Sequence, residues 1–121
     1  SHDVLVGIED VSWVIRQWAA RKRIKHVHLK DAAGTADGER FLFPMLGEGR
    51  VDWRAFFKAL HETGYEGYMS VEFESFHYYD TVLGGDPESA ATISMEQIHR
   101  LSAPPAARES GAAAGHAISR D

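Results

Sequence analysis

The sequence predicts an α/β fold in which parallel strands are joined by crossover helices. Two short runs, "IKHVHL" at 24–29 and "GYMSVEFE" at 67–74, alternate apolar and polar residues with the period of a strand. Three stretches with helical spacing and capping residues precede, separate and follow them, at 9–23, 51–64 and 86–101. The order helix, strand, helix, strand, helix is that of parallel strands linked through helices.

Taken in order, "EDVSWVIRQWAARKR" places Val11, Val14, Ile15 and Trp18 on one helical face. Asp10 or Ser12 supplies the cap, and Arg21, Lys22 and Arg23 suit the negative end of the helix dipole. The first strand follows at once. Residues 30–50 contain Gly34, Gly38, Pro44, Gly47 and Gly49, so a long loop is expected, of a length that is often functional. The second helix has Asp52 as its cap, Phe56, Phe57 and Leu60 as its buried stripe, and Gly64 to end it in the left-handed conformation. After the second strand, Asp86, Pro87 and Glu88 form a helix start. Residues 102–121 are rich in Ala, Gly, Pro and Ser and carry too little apolar bulk to pack, so a disordered tail is expected beyond a folded part at 1–101.

The bulk composition narrows the class. The 121 residues suit one small domain, and 44% apolar with 26% charged residues is ordinary for a globular protein. A net charge of −5 argues against a nucleic-acid partner. The absence of cysteine removes disulfides and thiolate metal sites and fits a cytoplasmic location. No run approaches the roughly 18 apolar residues of a membrane span, so no membrane association is expected. Two parallel strands make a poor domain alone, because such sheets are normally covered on both faces. The chain therefore reads as part of a larger α/β fold, or as one that completes itself by association into a homo-oligomer.

The strand faces point to chemistry. Val27 and Leu29 share one face of the first strand, while His26, His28 and Lys30 share the other. In the second strand Met69, Val71 and Phe73 oppose Ser70, Glu72 and Glu74. Each polar face becomes more ionisable toward the C-terminal end of its strand, which is where α/β enzymes build active sites, so an enclosed site is expected there. Imidazole and carboxylate facing one cavity suit Mn²⁺, Zn²⁺, Fe²⁺ or Co²⁺, and carboxylate-rich sites also take Mg²⁺. A strand histidine is also commonly a hydrogen-bonded structural residue.

Three blocks, "HVHLKD", "LGEGRVDWRAFFKALHETGYEGYMSVEFE" and "GGDPESAATIS", occur in an order that resembles the C-terminal part of the sugar phosphate isomerase/epimerase family, the xylose isomerase-like TIM barrels. The resemblance covers residues 1 to about 101. It implies a C-terminal fragment of a (β/α)8 barrel comprising helix 6, strand 7, helix 7, strand 8 and helix 8. It implies a divalent metal (Mn²⁺, Mg²⁺, Co²⁺ or Zn²⁺) held by His28 and Glu72, with two further ligands on strands before residue 1. Glu72 would double as the catalytic acid/base. His2 matches a substrate-side histidine, and Lys30 and Asp31, from the recurring "HxKD", would contact substrate, with Asp31 alternatively orienting Lys30 or His28.

The activity implied is that of a sugar, sugar phosphate or polyol isomerase or epimerase, working by metal-assisted proton transfer next to a carbonyl. A full barrel needs about 250 residues, so little or no catalysis is expected of this chain by itself. The rival readings are an AP-endonuclease-type phosphodiesterase, which the acidic charge disfavours, and a non-catalytic remnant that self-associates. His26 is expected to be structural, and Phe41, Phe43 and Trp13 to line either a pocket or a subunit contact. Trp53, Phe56 and Phe57 are expected to be helix packing.

Overall fold

The computed structural model describes residues 1–8, 10–35 and 40–104. The expected tail at 102–121 therefore falls almost wholly outside the described residues. A short helix α1 (His2–Leu5) leads into α2 (Val11–Ala19), then β1 (His26–Leu29). Two three-residue strands, β2 (Ala33–Thr35) and β3 (Arg40–Leu42), precede α3 (Trp53–Glu62). The chain continues through β4 (Tyr68–Val71), α4 (Phe76–Thr81) and α5 (Pro87–Ser102).

β1 and β4 pair in parallel, with His26 opposite Tyr68 and Leu29 opposite Val71. Described residues thus form two adjacent parallel strands and their crossover helix α3, and they do not close a barrel. The crossover starts sharply because Asp52 accepts a hydrogen bond from Ala55 N, and it ends at Gly64, whose φ is +64°. Asp10 and Asp86 cap α2 and α5 in the same manner, accepting from Trp13 N and from Glu88 N and Ser89 N. Helix α2 is shorter than the expected stretch 9–23, though it holds the whole apolar stripe from Val11 to Trp18: the chain turns after Ala19, and Lys22 adopts a left-handed φ of +53° that an α-helix does not continue through.

The core lies where α2 and α3 cover the apolar face of β1. Ile15, Leu29, Phe56, Ala59 and Leu60 meet there, joined by Val4 from α1 and by Leu46, Val51 and Trp53 from the entry to α3. Two elements go beyond the expected order, a hairpin inside the 30–50 loop and a short helix after the second strand. The 30–50 segment contains the antiparallel hairpin β2–β3, in which Gly34 faces Phe41. A Cβ on Gly34 would stand 1.9 Å from Arg40 O and its φ is +88°, so only glycine lets the two strands approach. Helix α4 spans six residues, too few to show an apolar period, and its N-cap Ser75 makes no side-chain cap bond.

Candidate metal and substrate site

The polar faces of the two strands form one ladder. Parallel pairing sets β1 and β4 in register, and the bond from Glu72 N to Leu29 O (3.0 Å) continues it past the end of β4. This fixes Glu72 beside both His28 and Lys30. His26 Nε2 lies 2.8 Å from Ser70 Oγ, and His28 Nδ1 lies 3.3 Å from Glu72 Oε2. Lys30 Nζ donates to Glu72 Oε1 at 2.7 Å and to Glu74 Oε2 at 2.8 Å. The imidazoles of His26 and His28 meet edge to face at 5.3 Å.

Burial rises along the ladder. The His28 side chain is 63% exposed, whereas that of Lys30 is 6% exposed. The sequence suggested an enclosed site. Among the described residues it is closed only at the Lys30 end, because two strands and one hairpin cannot wall both sides. The closed end is made by Phe43, whose ring centroid lies 4.3 Å from Lys30 Nζ. Ser75 Oγ donates to Phe43 O at 2.9 Å and holds that residue at the start of α4.

One ammonium faces two carboxylates. Burial opposes the Lys30 ammonium, yet the hydrogen bonds and charges of Glu72 and Glu74 outweigh it, and its pKa lies above the ordinary lysine value. Glu72 is held below the usual carboxylate range, first by the Lys30 hydrogen bond and then by His28, against partial desolvation. Both groups are therefore charged at neutral pH. Lys30 is a fixed donor of positive charge rather than a base, and Glu72 keeps one oxygen, Oε2, turned away from the ammonium toward His28.

That oxygen and His28 Nδ1 fit a metal edge. Ligand bonds of about 2.1 Å place adjacent donors roughly 3.0–3.4 Å apart in octahedral or tetrahedral geometry, which matches their separation. They supply two donors. Among the described residues no group of three or more His, Cys, Asp or Glu side chains is placed to hold an ion. His2 reaches the same corner indirectly, its ring 5.8 Å from that of Phe43.

Asp31 is occupied elsewhere. It is fully buried, and its Oδ2 accepts from Gly47 N (2.9 Å), Gly49 N (3.0 Å) and Trp53 Nε1 (2.8 Å). Its Oδ1 accepts from Ala32 N (2.9 Å) and Val51 N (3.1 Å). A Cβ on Gly49 would stand 2.2 Å from that Oδ1, so the turn needs glycine to approach. With five donors around it, the carboxylate pins the turn before α3 to the end of β1, directly after Lys30.

From sequence Trp53 is read as helix packing alone, and Phe43 as lining either a pocket or a subunit contact. The indole N–H of Trp53 was a usable signal, since a buried tryptophan needs an acceptor. The structure sets the Phe43 ring against Lys30, a place that depends on the hairpin before it. The opposite face of β4 is apolar. Val71, Phe73, Phe76, Tyr79, Ala90 and Met95 border a hollow of about 480 Å³ there, away from the ladder.

The chain is 42% identical over 65 residues to an inosose dehydratase of Klebsiella pneumoniae subsp. pneumoniae, covering 43% of this chain and 22% of that one. An inosose dehydratase of Lacticaseibacillus casei is 32% identical over 89 residues, covering 60% and 28%. One of Clostridium perfringens is 35% identical over 79 residues, covering 54% and 26%. The chain thus spans about a quarter of the length of these curated relatives. No solved structure matches it. The family model described as the xylose isomerase-like TIM barrel matches residues 8–101. On that match, the chain belongs to the xylose isomerase-like TIM barrel family.

Proposed function

We propose that this chain supplies one side of a divalent-metal site in an enzyme that moves a proton next to the carbonyl of a sugar or cyclic polyol. The observation that carries the reading is the approach of His28 Nδ1 and Glu72 Oε2 to 3.3 Å at the C-terminal ends of two parallel strands. The relatives named inosose dehydratase favour an inosose as the substrate class and loss of water as the outcome, and isomerisation or epimerisation would share the first step.

His28 and Glu72 would be the ligands contributed here, to an ion such as Mn²⁺, Co²⁺, Zn²⁺ or Mg²⁺. The bound ion supplies Lewis-acid polarisation of the substrate carbonyl. Glu72, ionised at neutral pH, is the chain's acceptor for the proton on the adjacent carbon. Lys30 holds Glu72 in place through Oε1 and presents positive charge to a substrate oxygen. His2 and the Phe43 ring would form the wall on the hairpin side. Asp31 acts at one remove, by fixing the chain that follows Lys30 and not by touching substrate. We assign residues 1–101 to the barrel portion and, because two donors do not complete a coordination sphere, expect little turnover from the chain alone.

Mn²⁺ titration tests the ligand pair. Paramagnetic broadening of NMR signals is expected to centre on the His28 ring and the Glu72 side chain, and to disappear in His28→Ala and Glu72→Gln. Broadening centred on other histidines, or unchanged in the double variant, would refute the assignment.

A further inference from the structure

We propose that Glu74 is a positioning residue for the metal edge: it neutralises Lys30, which leaves the charge of Glu72 free for a divalent cation, and it does so without touching the ion. The proposal rests on the ligand pair assigned above and adds a third residue to it. Lys30 Nζ lies between two carboxylates, 2.7 Å from Glu72 Oε1 and 2.8 Å from Glu74 Oε2. The Lys30 side chain is 6% exposed and the Phe43 ring lies against its ammonium, so little water is left to carry that charge. Glu72 turns its other oxygen, Oε2, toward His28 Nδ1.

The balance of charge gives Glu74 its part. Without Glu74, the buried ammonium would be balanced only by the carboxylate that meets the ion. Glu72 would then face three positive charges, two from the ion and one from Lys30, with a single negative charge, at separations where a partly dry site screens poorly. Glu74 supplies the second carboxylate. Before an ion arrives, Lys30, Glu72 and Glu74 together carry a net charge of −1, one ammonium against two carboxylates. Lys30 stays paired through Glu74 when Glu72 turns its charge to a metal. Glu74 itself is not a third ligand: among the described residues no group of three or more His, Cys, Asp or Glu side chains is placed to hold an ion. Groups that act on a metal through its ligands are commonly worth about 10–100-fold in affinity.

The test uses the full chain. Water-proton relaxation gives its Kd for Mn²⁺, and broadening of the His28 ring signals shows whether the ion sits at the pair. Glu74→Gln keeps the shape and an acceptor for Lys30, and it is expected to raise that Kd by about 10–100-fold with the ion still at His28. Thermal unfolding in EDTA checks that the variant is folded, and Glu74→Ala repeats the measurement if it is not. A Lys30→Met background separates a role through Lys30 from a structural one. There the effect of Glu74→Gln is expected to shrink to about threefold or less, the reach of one screened carboxylate. If the native chain does not hold Mn²⁺ at His28, the ligand assignment fails and this inference with it. If it does, and Glu74→Gln leaves Kd within about threefold, this inference alone is overturned. A loss of the same size with and without Lys30 would also overturn it, since Glu74 would then act on the ion directly or through the fold.

Discussion

Asp31→Asn replaces one oxygen of the buried carboxylate by an amide nitrogen at nearly constant shape. The five donors divide three to Oδ2 and two to Oδ1, so the best asparagine orientation keeps oxygen at the Oδ2 position. The new NH₂ then faces the N–H groups of Ala32 and Val51, both left without an acceptor. Each stranded buried donor costs about 1–3 kcal/mol, so the loss is about 2–6 kcal/mol. A small domain has only about 5–15 kcal/mol in total, so the variant should be marginally folded. Urea denaturation followed by far-UV circular dichroism measures the loss. Trp53 is 5% exposed, against 58% and 53% for Trp13 and Trp18, so a red shift in fluorescence emission reports loosening at this turn. A loss below about 1 kcal/mol, with the emission unmoved, would mean that the carboxylate does not organise the turn.

Trp53→Phe removes one of the five bonds and keeps most of the packing, so it should cost about 1–3 kcal/mol in the same denaturation assay, less than Asp31→Asn. Gly49→Ala forces a methyl against the Asp31 carboxylate and Ala32 O, and a loss of at least about 1–3 kcal/mol is expected from urea midpoints. In Lys30→Met, the Glu72 pKa should rise toward its ordinary value, as read by carboxyl ¹³C titration, because its first stabilising partner is gone. The Lys30–Glu72 pair also sets a pH window. Glu72 contributes stability above the ordinary 4.5 that is lost as pH falls through its lower folded value. Lys30 contributes stability below the ordinary 10.5 that is lost as pH rises through its higher folded value. Tm against pH should therefore fall more steeply at both extremes in the native chain than in a Lys30→Met, Glu72→Gln double variant.

Period and capping carried much of the fold into the sequence. Asp10, Asp52 and Asp86 mark helix starts because a short acceptor before an apolar helical stripe has few other uses. The two-residue period of "HVHLK" and "SVEFE" placed His28, Lys30, Glu72 and Glu74 on facing rows, and side-chain bonds join those rows. What the pattern could not carry was non-local. The β2–β3 hairpin depends on Gly34 meeting Arg40 across a loop with no repeating signal. Phe43 comes under Lys30 only after that hairpin forms. Asp31 stood beside a charged neighbour and read as a site residue, and its burial depends on donors 16 to 22 positions away.

The Asp31 cluster also changes what kind of object the 45–53 segment is. By shape it is a loop, with no strand or helix until Trp53. By energetics it is interior: the amides of Gly47, Gly49 and Val51 end on a carboxylate that is fully buried. Such a segment cannot open by fraying, because releasing any one amide exposes a charge already committed to four other donors. It should come apart only together with β1 and α3, as a single cooperative unit. A glycine-rich turn that would ordinarily be the softest part of a crossover is thereby made part of the rigid floor on which Lys30 and Glu72 stand.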